Sequence, residues 1–174
     1  VVDYQKNHAA QLHQQLLYFQ SHASKSLRNA IGLAAGGIVL GHKAQHQWRL
    51  KKHVLKSASK VLRSSSSSLA ACGSFSQVFA LVESVRASAP GLGPLWAYDT
   101  ALRIGAALPK PLSPTEVFLQ CGARVGAVRL QGKWLSKHRS VVPSTLRTEL
   151  SVLSPAQIEN FFCIYKDLLW LRMP

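Results

Sequence analysis

The stretch that decides the fold is Ala87–Gly105, "ASAPGLGPLWAYDTALRIG". Two glycines, Gly91 and Gly93, flank one leucine and are bracketed by Pro90 and Pro94. Upstream, "FSQVFALVESVRA" puts Phe75, Val78, Phe79, Val82 and Val85 on one helical face, with Ser74 or Ser76 placed to cap it. Downstream, proline at a first helical position opens a second helix from Pro94 to about Leu108. A helix, a glycine turn and a helix at this spacing have two physical readings. One is a tight corner between packed helices. The other is a hairpin that grips an anion. Glycine tolerates positive φ, so backbone and ligand can approach closely. The first amides of the second helix lack partners and have the positive pole of the helix behind them.

Outward from the turn, helical periodicity continues. Tyr4, His8, Leu12, Leu16 and Phe19 predict a helix over residues 4–20, and Leu27, Ile31 and Ala34 predict another over about 25–39, loosened by Gly36, Gly37 and Gly41. In the segment 41–72, Trp48, Leu55, Leu62 and Leu69 recur every seven residues, while Lys52, Lys56, Lys60 and Arg63 follow another face. That is an amphipathic helix with a basic stripe. The serine run Ser64–Ser68 is expected to continue it to Gly73. Residues 108–114, "LPKPLSP", form a rigid connector, and Ser113, Pro114 and Glu116 match a capping-box helix start. The helix that follows, "TEVFLQCGARVGAVRL", is interrupted near Gly122. Residues 131–143 read as loop or frayed helix, Ser144 can start a short helix, and Ser154, Pro155 and Gln157 repeat the cap signature for the last one. No sustained strand alternation occurs. The expectation is an all-α chain, a single helical domain of about seven or eight helices over 1–174, with possible lobes at 1–72 and 73–174. Trp48, Leu55, Phe75, Phe79, Leu102, Phe118, Phe161 and Phe162 are the expected core.

Charge narrows the partner. Lys and Arg total 21 against 7 acids, a net charge of +14. No acid occurs between Tyr4 and Val82, and a second acid-free window spans Val117–Thr148. Fields this one-sided attract polyanions, nucleic acid first among them. The three cysteines, Cys72, Cys121 and Cys163, have no metal-ligand spacing, and the seven histidines form no HExxH pair, so no metal and no cofactor are expected. Scattered thiols predict a reduced, cytoplasmic compartment. The most apolar window, Ala30–Gly41, is too short for the ~20 residues of a membrane span, so no membrane partner is expected. The chain begins at Val1 rather than Met, and no signal peptide can be argued from it.

The turn "PGLG" resembles the core of the helix-hairpin-helix motif, with Ala97 and Ala101 at its small packing positions. The resemblance implies phosphate contact through Gly91, Leu92 and Gly93, and favours DNA. Pro94, Leu95 and Trp96 depart from the polar ligands common after the second glycine. Base-excision DNA glycosylases carry this hairpin with a catalytic Asp about twenty residues beyond it. Here that region is Leu112–Thr115, and Leu95 stands where some of them place a Lys. The resemblance therefore implies a non-enzymatic binder. Over residues 41–167 the chain also resembles a family of small uncharacterised bacterial proteins. Its members pair a GKxxxHQxR-like segment, a GIGxLxVYDTALRIGA-like hairpin, a VYLHAGTRxGA-like segment and an LSPxEIEDFLCIYKD-like end. "YDTALRIGA" stands intact as Tyr98–Ala106, and His46, Gln47, Arg49 and Arg124 are among the shared residues. The expected nucleic-acid contacts are thus Gly91, Leu92, Gly93, His46, Gln47, Arg49, Lys52, Lys56, Lys60, Arg63 and Arg124. The alternative partner is an acidic protein docked on the same basic surface, with the hairpin as a structural corner.

Overall fold

Three serines start three of the helices. Ser26 Oγ accepts from the Asn29 amide at 3.3 Å, Ser74 Oγ from the Gln77 amide at 3.4 Å, and Ser154 Oγ from the Gln157 amide at 3.3 Å. At Ser154 the box closes, because the Ser154 amide donates to Gln157 Oε1 at 2.9 Å. Each such cap contributes about 1 kcal/mol. The computed structural model describes residues 1–44 and 47–169. Along them run α1 (Val2–Asn7), α2 (Ala9–Ala23), α3 (Leu27–Gly36), β1 (Ile38–Val39), β2 (His42–Lys43), α4 (Lys52–Ser64), α5 (Ser66–Ala70), α6 (Phe75–Ser88), α7 (Pro94–Ala107), β3 (Val117–Phe118), α8 (Cys121–Gln131), β4 (Ser140–Val141) and α9 (Pro155–Tyr165). Short 3-10 turns occupy Lys133–Lys137, Pro143–Thr145 and Thr148–Leu150. The fold is mostly α. Its strands are two antiparallel ribbons, with Ile38 opposite Lys43 and Val117 opposite Val141.

The chain divides into two compact units. One is Val1–Leu12 with the chain from Pro114 onward, and the other is His13–Ser113. The 72/73 boundary expected between lobes lies inside the second unit.

In the first unit Tyr4, Leu119, Ala123, Ala127, Leu135, Ile158 and Phe162 pack into one core. Tyr4 Oη donates to Asn160 Oδ1 at 3.0 Å, and its ring meets Phe161 edge-on. Gly126 sets how closely α8 approaches α9, since a Cβ there would stand 2.1 Å from the Phe162 carbonyl oxygen. The expected capping-box start at Ser113–Glu116 does not form. Val117–Phe118 instead pair with Ser140–Val141, the Leu119 amide donates to the Arg139 carbonyl at 2.8 Å, and Glu116 accepts from Ser140 Oγ. Three consecutive apolar residues suit a short buried strand, and that pairing overrides the local cap pattern. Gly122 is not an interruption but lies in the first turn of α8.

In the second unit α3 packs on α4 and α7, and α6 packs on α4 and α7. Phe19, Ile31, Leu62, Leu69, Val82, Trp96 and Ile104 are buried at the centre. Eleven residues of α7 are buried, as expected of a helix enclosed by neighbours rather than lying at a surface. Helices α6 and α7 join through Ala89–Gly93, the expected corner. Leu55, Phe75, Leu102, Phe161 and Phe162 are buried as expected, whereas Phe79 and Phe118 are half-buried. Trp48 is a clear correction: it is 67% exposed. The seven-residue spacing misled because α4 begins only at Lys52, after the β1–β2 ribbon, whose turn uses Leu40 (φ 50) and Gly41 (φ 81). The helix does not run unbroken through the serines either. Ser64 and Ser65 hydroxyls both donate to the Val61 carbonyl, and α4 ends there before α5 resumes. The first helix likewise breaks at His8.

Candidate nucleic-acid interface

The site begins with spacing. Residues four, four and three apart put Lys52, Lys56, Lys60 and Arg63 along one side of α4. Two links hold that side against α3: Ser59 Oγ donates to the Gly32 carbonyl at 3.1 Å, and Arg63 Nη2 donates to Asn29 Oδ1 at 3.3 Å. Gly32 makes room, for a Cβ there would meet the Arg63 side chain at 2.9 Å. The result is a groove of about 560 Å³. Arg28 lines it from α3, and His53, Lys56, Ser57, Lys60 and Arg63 line it from α4.

Electrostatics make this groove unusual. The second unit carries twelve Lys and Arg against two carboxylates, Glu83 and Asp99. Both carboxylates are engaged elsewhere, Glu83 with Arg86 at 3.0 Å and Asp99 with Arg103 at 3.4 Å. Among the described residues no carboxylate pairs with Arg28, Lys56, Lys60 or Arg63. The charges are also placed against local stability. Lys56 and Lys60 are like charges one turn apart, which costs about 0.2–0.5 kcal/mol. Lys51, Lys52 and His53 crowd the positive pole of α4, where no acid and no side-chain cap offsets them.

The hairpin differs in detail from its expected form. Gly91 adopts φ 96, is exposed, and has open space where a Cβ would point. Gly93 does not use positive φ: it is extended, φ −94 and ψ 169, because the turn is completed at Gly91. Gly93 caps α7 with no side-chain hydrogen bond, so the Leu95 and Trp96 amides at the first turn have no cap to satisfy them. Leu92 is buried, and Trp96 Nε1 donates to the Ala35 carbonyl at 3.0 Å, which pins the start of α7 to the end of α3.

The other expected contacts fare unequally. Arg49 and Lys52 are exposed. Gln47 is 1% exposed and lies against Gly37, with neither amide atom hydrogen-bonded to a described residue, so it faces the interior rather than a phosphate. His46 lies outside the described residues. Arg124 belongs to the first unit, where its Nε donates to the Leu119 carbonyl at 3.1 Å. Arg103 is buried over the Phe19 ring, and that burial, opposed by Asp99, lowers its pKa. Its charge is spent inside the unit. Arg28, His53, Ser57 and Ser59 were not among the expected contacts. Their sequence signal was the absence of acids, but only the packing of α3 on α4 brings Arg28 to the lysines.

No helix among the described residues is long and apolar enough to cross a membrane. Among the same residues no cluster of three His, Cys, Asp or Glu could hold a metal ion. No family model, no curated protein and no solved structure matches the chain.

Proposed function

We propose that this chain is a non-enzymatic module that binds nucleic acid, DNA in preference, without sequence specificity. The observation that carries the reading is the α3–α4 groove, where Arg28, Lys56, Lys60 and Arg63 converge with no carboxylate among them. A phosphate backbone supplies the missing counter-charge, and the serine hydroxyls and His53 supply further hydrogen bonds. The exposed Gly91 turn and the uncapped start of α7 offer a second backbone contact, in line with the helix-hairpin-helix resemblance. The engagement of Asp99 with Arg103 supports a binding rather than a catalytic role for the hairpin region. Three free cysteines accord with a cytoplasmic setting, and the family resemblance with a bacterial source. The test is salt-titrated binding of duplex, single-stranded and RNA oligomers. Affinity that is independent of sequence and falls steeply with salt supports the reading. Absence of binding at low salt overturns it.

The buried Leu92 and the pinned Trp96 favour a second reading, in which the corner is architectural and the groove docks an acidic protein. Competition separates the two. Polyglutamate that displaces an oligonucleotide weakly favours the first reading, and polyglutamate that binds when the oligonucleotide does not favours the second.

A further inference from the structure

We infer that Trp48 is a base-stacking platform, and that the form of nucleic acid this interface takes is single-stranded. The inference rests on the proposed binding role and specifies its substrate. Trp48 is exposed, yet its indole is held in place. Its Nε1 donates to the Lys43 carbonyl at 2.9 Å, and Lys43 Nζ returns bonds to the Trp48 and Leu50 carbonyls at 3.3 and 2.9 Å. The backbone beneath is tied as well, with the Ala44 amide donating to Gly37 at 2.7 Å and the Leu50 amide to Gln47 at 3.0 Å. The polar edge of the ring is therefore satisfied internally while much of its apolar surface meets water. An immobilised, exposed indole has already lost the side-chain freedom that stacking would otherwise cost.

What surrounds the ring indicates what covers it. Arg49, Lys51 and Lys52 are all exposed within four residues of Trp48, and His53 lines the groove at the next position. Aromatic faces interleaved with unpaired cations are what a single strand requires: phosphates follow the charges and an unpaired base lies on the ring. A duplex hides its base faces, so it can use the groove but not the indole. An anionic membrane would also meet Trp plus Lys. However, among the described residues of 38–50 only Leu40 and Trp48 are exposed large apolar side chains, far less than the wide apolar face of an interfacial helix.

The test measures anisotropy of a labelled oligo-dT, an abasic strand of equal length and a duplex of equal length, with anionic vesicles as a further arm. Wild-type protein should bind oligo-dT on the order of tenfold more tightly than the abasic strand, with the same salt slope, because the two carry equal phosphates. Trp48→Ala should erase that difference and leave duplex affinity and the salt slope unchanged, whereas Trp48→Phe should keep most of it. The abasic comparison needs no variant, so it stands even if Trp48→Ala fails to fold. Equal binding of oligo-dT and abasic strand by the wild type overturns the inference while leaving the proposed function intact. Failure to bind any strand at low salt removes both. Vesicle binding that depends on Trp48, with no such dependence for oligo-dT, replaces the strand with a membrane surface.

Discussion

Changing Lys56 and Lys60 together to Ala separates function from stability with opposite signs. The two lysines are exposed, lie one turn apart and line the same groove. If each neutralises one phosphate, removing both flattens the log–log salt slope by about 1.8 on a duplex and about 1.4 on a single strand. Over a fourfold rise in salt, the fall in affinity should then shrink by roughly seven- to twelvefold. Stability should move the other way. The change removes a like-charge pair worth about 0.2–0.5 kcal/mol and inserts the best helix former twice. Among the described residues no side-chain hydrogen bond or ion pair of either lysine is lost to offset that gain. Arg63 is a poor choice for the same test, because its side chain lies over Gly32 and bonds to Asn29. The assay is anisotropy over a salt series on the double variant, paired with chemical denaturation. An unchanged slope would refute the role of the groove. A loss of more than about 1 kcal/mol of stability would refute the claim that these charges are kept for binding.

Three further outcomes follow from the packing. Gly126→Ala should destabilise the first unit by about 1–3 kcal/mol, since the new methyl meets the Phe162 backbone rather than a side chain that can turn aside; denaturation midpoints check it. At the hairpin the glycines should differ: Gly91→Val forces a β-branched residue to φ 96 and should cost about 1–3 kcal/mol, whereas Gly93→Val meets ordinary extended backbone and open space and should cost less. Stability of the first unit should fall at both extremes of pH. The Tyr165 hydrogen bond holds the Asp3 carboxyl below its usual 3.8, so its contribution is present above about pH 3.8 and is lost on further acidification; burial and Asp3 raise the Tyr165 hydroxyl from 10 to about 12, so stability is lost as pH rises from 10 through about 12. Asp3→Asn should flatten the acid limb, read by denaturation at pH 3 and pH 6.

The helical fold was legible because periodicity and caps agree. Ser74 before Phe75 and the Ser154–Pro155–Gln157 box both form as written, and the two glycines mark the corner between α6 and α7. What was not legible depended on partners distant in sequence. Pro114 and Glu116 satisfy a local cap rule, but Val117 pairs with Val141, which no local window contains. Leu40–Gly41 turns a ribbon without the Asn-Gly signal that usually announces one, and the missed turn left Trp48 in a false heptad with Leu55. The basic stripe of α4 was readable from spacing alone. Its concavity was not, because Arg28 joins it through the packing of α3 on α4, which includes the Ser59–Gly32 and Arg63–Asn29 links.

The most direct measurement is a map of backbone amide shifts in the isotope-labelled chain, titrated at low salt with a single-stranded oligomer. Saturable changes should concentrate at Arg28 and along His53–Arg63, with the amides around Trp48 moving at the same oligomer concentrations. Changes concentrated instead among Arg124, Arg129, Lys133, Lys137, Arg139 and Arg147, the cations of the first unit, would contradict it.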